Sequence, residues 1–166
     1  MDIAVIAGNP KPRSRTLEAA LMVAEQLGGG PPATVIDVVD LGAGLLGWGD
    51  VAVASAVESV RLSSVAVFAS PTYKATYTGL LKLFLDQFPP EGLAGVVGVA
   101  MMLGAGPAHA LAPELSLKPV LNELGATCPT RGLYVIDADY ANVAAIEPWL
   151  ATARRQIETC AGEVVR

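Results

Sequence analysis

Three short segments of this sequence gather residue types that bind a ligand rather than break bonds. The first is Gly8-Asn9-Pro10-Lys11-Pro12-Arg13-Ser14-Arg15-Thr16, where three of the chain's eleven Lys and Arg residues fall within five positions. Cations at that density, the hydroxyls of Ser14 and Thr16, and the free N–H groups of a following helix would together hold a phosphate dianion. The second is Ser70-Pro71-Thr72-Tyr73-Lys74-Ala75-Thr76-Tyr77-Thr78-Gly79, with two tyrosines in a chain that is only 5% aromatic. Pro71 fixes the backbone there, so N–H groups after it can face the polar edge of a ring. The third, Gly104-Ala105-Gly106-Pro107, carries almost no side chain and lets a flat ligand approach the main chain closely. A phosphate clamp, a polar loop and a bare loop suit a planar mononucleotide.

Other chemistries lack their residues. The dinucleotide pattern G-x-G-x-x-G is missing after the first apolar run. It occurs at Gly42, Gly44 and Gly47, but with no helix directly behind it and no acid about twenty positions on, so it reads as a connection. There is no G-x-x-x-x-G-K-[ST] and no G-x-S-x-G. His109 is the single histidine; no Ser-His-Asp set can be argued from it, and it points to a structural or pocket-lining role. Cys128 and Cys160 have no metal-ligand spacing and read as packed thiols. No side chain is expected to act as acid, base or nucleophile.

The elements that must position these loops alternate along the chain. Short apolar runs at Ile3 to Ala7, Thr34 to Leu41, Val65 to Ala69, Val96 to Leu103 and Leu133 to Ile136 predict five strands. Between them, helical spacing runs through Leu17, Ala20, Leu21, Ala24 and Leu27, and through Val53, Val57 and Val60 behind an Asp50 N-cap. It continues through Leu80 to Phe88, through Leu117, Val120, Leu121 and Leu124 with Pro119 as a kink or early-turn residue, and through Val143, Ile146, Leu150, Ala153 and Ile157. That alternation predicts an α/β fold, a doubly wound five-stranded parallel sheet with helices on both faces. Ligands of such sheets sit at the carboxyl ends of the strands, and all three loops follow predicted strands there.

Composition sets the wider frame. With 166 residues, 52% apolar and 16% charged, the chain predicts one domain, residues 1–166, with a sizeable core. The formal charge of −5 argues against nucleic acid as a general partner. The uncharged stretch from Gly92 to Pro113 holds too many glycines and prolines for a membrane span and reads as a buried strand, a loop and a helix start. Asp2 stands where a signal peptide needs a base, so a cytoplasmic protein is expected. Trp48 reads as a lid or dimer contact, and Trp149 as packing for the last helix. Leu80, Leu81, Leu83, Phe84 and Leu85 are more apolar positions than one helix face needs, which predicts a subunit interface.

Three segments carry a specific likeness. Ala7-Gly8-Asn9-Pro10-Lys11 through Ser14-Arg15 is the first, and Pro71-Thr72-Tyr73-Lys74-Ala75 with Tyr77-Thr78-Gly79-Leu80-Leu81-Lys82 the second. Ala108-His109-Ala110-Leu111 through Leu117-Lys118-Pro119-Val120-Leu121 is the third. In these the chain resembles the NADPH-dependent FMN reductases of flavodoxin-like fold, above all the flavin reductases of two-component alkanesulfonate monooxygenases. The resemblance implies that Asn9, Lys11, Ser14, Arg15 and Thr16 bind the FMN phosphate. It implies that Pro71, Thr72, Tyr73 and Lys74 line the isoalloxazine, with Gly104, Ala105 and Gly106 on its pyrimidine side. It further implies hydride transfer from NADPH or NADH to FMN, a flavin-dependent monooxygenase partner that takes reduced FMN, and a homodimer or homotetramer. The same motifs serve FMN-bound quinone or azo reductases, and a flavodoxin-like electron carrier is the alternative from another class. The chain departs from the family at Asn9, usually Ser, at Ala105, usually the second glycine of a pair, and at Leu115, aromatic in the sulfonate-associated relatives.

Overall fold

The computed structural model describes residues 1–163. Five strands form one all-parallel sheet: β1 (Ile3–Ala7), β2 (Thr34–Asp37), β3 (Val65–Pro71), β4 (Val97–Gly104) and β5 (Leu133–Ile136). They lie in the order β2-β1-β3-β4-β5, the flavodoxin-like arrangement. The order reverses between β1 and β3, so the crevice where such folds receive ligands opens at the carboxyl ends of those two strands. Ala7 pairs with Ala69 across this junction, and the Gly8 N–H donates to the Ala69 carbonyl at 2.8 Å.

Side chains alternate across the sheet and build a core on each face. Val5, Val67, Val99 and Val135 pack under α1 (Arg15–Gly28) and α5 (Val143–Glu163). Ile6, Phe68, Ala100 and Met102 pack under α2 (Val51–Arg61), α3 (Gly79–Leu85) and α4 (Lys118–Glu123). β1 is buried along its whole length, as a central strand covered on both faces must be. The uncharged stretch is therefore β4 with the turns before and after it. Among the described residues no helix is long and apolar enough to cross a membrane.

Three predicted boundaries shift by two residues or more. The second strand ends at Asp37 rather than Leu41, because the chain turns there into a 3-10 segment, Val38–Leu46, that buries Val38 and Leu45. β3 runs past Ala69 to Pro71, since Ser70 and Pro71 still pair with Met102 and Leu103 of β4. The helix expected to reach Phe88 stops at Leu85, and Phe88 packs edge-on against Phe84 from the following turn, with ring centroids 5.4 Å apart. Asp50 caps α2 as expected, accepting from the Val53 N–H at 3.0 Å. Pro119 lies in the first turn of α4, directly behind a π-type turn at Pro113–Leu117 that carries Leu115 outward.

Candidate functional site

The loop after β1 is organised by its own polar side chains. Asn9 donates from Nδ2 to Thr16 Oγ1 and accepts the Lys11 N–H at Oδ1, both at 2.9 Å, so the residue folds the loop back on the start of α1. Ser14 is the N-cap of α1, its hydroxyl accepting from the Leu17 N–H at 3.3 Å. Asn9, Ser14 and Thr16 are buried together. The N–H groups of Ser14, Arg15 and Thr16 have no acceptor among the described residues. That is the donor set by which a helix N-terminus receives an anion.

The basic side chains diverge from this cradle. Lys11 is exposed, as is Arg13, which stands in the left-handed region at φ 49° and donates its N–H to Asp37 Oδ2 at 2.8 Å. Burial pushes the Asp37 carboxyl above its ordinary value, and the bond from Arg13 offsets only part of that. Arg15 reaches across to the turn after β5, where Nη1 pairs with Asp137 at 2.6 Å and the guanidinium lies 5.4 Å from the Tyr140 ring centroid. Arg15 thus enters the site already partnered by a carboxylate that no sequence spacing announces.

The second loop is a short antiparallel hairpin. Tyr73 and Thr76 exchange both backbone hydrogen bonds, at 2.9 and 3.2 Å, around Lys74 and Ala75 at φ 52° and 69°. Two non-glycine residues in that region store strain of order 1–3 kcal/mol each, so the tip is built at a cost. Thr72 donates its N–H to the Leu103 carbonyl at 2.7 Å. The N–H groups of Thr72 and Tyr73, expected to face a ring, therefore serve the protein, while those of Lys74 and Ala75 have no acceptor among the described residues. Thr72 Oγ1 is buried at the end of β3 without a partner among the described residues. Tyr73 stands exposed above it.

Two residues outside the expected set hold these loops together. Thr78 caps α3, accepting from the Leu81 N–H at 3.1 Å, and its hydroxyl donates to the Gly8 carbonyl at 2.5 Å. Its N–H donates to the hydroxyl of fully buried Ser70 at 3.0 Å. The end of β1, the end of β3 and the start of α3 are tied at one point. Gly8 permits this contact, because a Cβ there would overlap the Leu81 side chain. A cap signal, Thr followed by an apolar helix, is present in the sequence, but its tie to Gly8 spans 70 positions.

In the third loop the glycines have different causes. A Cβ on Gly104 would overlap the Tyr134 hydroxyl, so its missing side chain serves β5 rather than a ligand. Gly106 has open space where a Cβ would stand, and Tyr134 Oη donates to its carbonyl at 2.7 Å. The N–H groups of Ala105 and Gly106 find no acceptor among the described residues. His109 is exposed in the short 3-10 turn Pro107–His109. Trp149 packs on the last helix as expected, its indole N–H donating to the Arg131 carbonyl at 2.8 Å.

Three sets of unsatisfied donors or acceptors thus face the carboxyl ends of β1, β3 and β4: amides at residues 14–16, the Thr72 hydroxyl, and amides at 105–106. This set fits FMN, an anion joined to a flat ring with a polar edge. Among the described residues no cluster could hold a metal ion.

The comparisons with known proteins agree. The sequence matches the family model for NADPH-dependent FMN reductase over residues 1–141. An Escherichia coli protein named FMN reductase (NADPH) is 36% identical over 98 residues, 57% of this chain and 51% of that one. A Pseudomonas aeruginosa protein of the same name is 27% identical over 167 residues, 96% of this chain and 89% of that one. The match therefore spans about half the length of the first relative and most of the second. The apo form of an NADH:FMN oxidoreductase superposes with a TM-score of 0.81 at 28% identity, covering 99% of this chain and 90% of that one. An archaeal flavodoxin, 14% identical with a TM-score of 0.59, shares the fold. By its sequence and by the β2-β1-β3-β4-β5 sheet that carries these loops, the chain belongs to the NADPH-dependent FMN reductase family.

Proposed function

We propose that this protein is an NAD(P)H-dependent FMN reductase, with the described chain acting as one flavin-binding domain. The observation that carries the reading is the set of N–H groups at Ser14, Arg15 and Thr16 without acceptors among the described residues, placed at the β1/β3 junction on the loop that carries Lys11, Arg13 and Arg15. These amides and Lys11 hold the phosphate; Asn9 and Ser14 keep the loop in shape. Pro71, Thr72, Tyr73 and Lys74 line one side of the ring, and Ala105 and Gly106 present N–H groups on another. When bound, FMN supplies a ring that accepts hydride from the dihydronicotinamide of NADPH or NADH. The chain's own part is to orient the rings and to aim fixed amide dipoles at the edge where negative charge grows. No proton-transferring side chain is assigned.

Family membership and the basic first loop support a reductase over an electron carrier. Two relatives are named NADH-dependent FMN reductase SfnF. Delivery of reduced FMN to a flavin-dependent monooxygenase is the use proposed here. Assembly as a homodimer or homotetramer belongs to the same reading. On α3, Leu81, Phe84 and Leu85 are core and Leu80 is half-buried, so of the five apolar residues Leu83 is the exposed one left for a partner, and Leu46, Trp48 and Val51 are exposed as well. The deciding experiment is anaerobic: FMN mixed with the protein and NADPH or NADH should bleach, and FMN that stays yellow with both nucleotides would reject the reading.

A further inference from the structure

Gly104, Gly106 and Tyr134 form a unit that the ligand-facing residues do not explain. Tyr134 lies on β5, which flanks β4 on the side away from β3 and the ligand crevice. Its half-buried ring fills the place where a Gly104 side chain would stand, and its hydroxyl donates to the Gly106 carbonyl at 2.7 Å. That bond turns the Gly106 carbonyl toward β5. A carbonyl oxygen facing the crevice could meet only the single N–H of a flavin's pyrimidine edge, whereas amide N–H groups meet its ring nitrogen and two carbonyl oxygens. With it turned away, the N–H groups of Ala105 and Gly106 have no acceptor among the described residues and are available to a ring. Gly106 is extended at φ −166° and ψ 177°, a conformation open to any residue, so the turn is not held by glycine geometry. The hydrogen bond from Tyr134 is the tertiary contact that fixes its carbonyl.

We propose that Tyr134 is a positioning residue for flavin: it sets the polarity of the Gly104–Gly106 turn and thereby the affinity for the ring rather than for the phosphate. The proposal rests on the FMN reading above. Because the ring is common to FMN and riboflavin while the phosphate is not, the two ligands separate this role from that of the first loop.

The test is titration of flavin-free protein with FMN and with riboflavin, followed by flavin fluorescence. Tyr134→Phe keeps the ring and removes the hydroxyl. It should weaken both ligands by the same factor, about three- to tenfold, as expected for one lost hydrogen bond to an organised turn. Gly104→Ala, which displaces the phenol instead, should weaken both ligands as well. A purely structural role for Tyr134 would lower the melting temperature while leaving both dissociation constants of the folded protein unchanged, and that result would overturn the proposal. Loss of FMN affinity alone would also overturn it. If the unsubstituted protein bound neither flavin, the FMN reading would fall and this role with it.

Discussion

At the scale of single residues, the site divides into groups that meet the ligand and groups that hold those groups in place. Asn9 makes two hydrogen bonds inside its own loop, and Arg15 is drawn to Asp137 and Tyr140. Lys11 has its N–H fixed by Asn9 and its ammonium free among the described residues. Its charge is therefore the one most available to a phosphate. Lys11→Ala should weaken FMN binding by about 1–3 kcal/mol, the range for a charge-assisted hydrogen bond, and leave riboflavin binding unchanged. Equal weakening of both in a fluorescence titration would remove Lys11 from the phosphate site. The cluster of Lys11, Arg13 and Arg15 was legible in the sequence because three cations stand out in an acidic chain. The destination of Arg15 was not, since Asp137 lies 122 positions away. Tyr134 was illegible for a different reason: as one residue of a short strand it carries no pattern, and only the overlap with Gly104 reveals it.

At the scale of elements, the site depends on three strand ends being kept in register. Thr78 does this by capping α3 while bonding to the Gly8 carbonyl and to Ser70. Thr78→Ala removes the cap and leaves a buried carbonyl unsatisfied. Unfolding free energy from urea denaturation should fall by about 1–3 kcal/mol, with most of it kept in Thr78→Ser. A loss under about 0.5 kcal/mol, the usual scale of a surface change, would contradict the tie described here. The elements themselves were largely readable from apolar periodicity, because buried parallel strands are continuous apolar runs. Periodicity failed where local geometry took over. Val38 to Leu41 looks like the end of a strand, yet β2 is an edge strand paired only with β1, and past Asp37 the chain gains more by burying Val38 and Leu45 in a 3-10 segment. The hairpin at Tyr73–Thr76 was also hidden, since Lys74 and Ala75 are not the residues that such a turn favours.

At the scale of the whole molecule, strand alternation gave the fold class, while the order of the strands and the contacts between distant loops appear only in three dimensions. The same holds for the ionisation of buried groups. Cys128 packs beside Gly98 and Ala126, and burial raises its thiol from 9.0 to about 11. An acid whose value is raised by folding adds stability that is full below its unfolded value and is lost as pH rises through the folded one. The melting temperature should therefore drop more steeply between pH 9 and about 11 in the unsubstituted protein than in Cys128→Ala. Parallel profiles would show that this thiol is not linked to folding.

The central claim is that the cradle at the β1/β3 junction takes FMN so that NAD(P)H can reduce it. The most direct measurement is the rate of NADPH or NADH oxidation by flavin-free protein as FMN is added, with each turnover followed by nicotinamide absorbance. A rate that is zero without FMN and rises to saturation with it is the predicted result. The same nucleotides left unoxidised at every FMN concentration, by protein that is folded, would contradict the account.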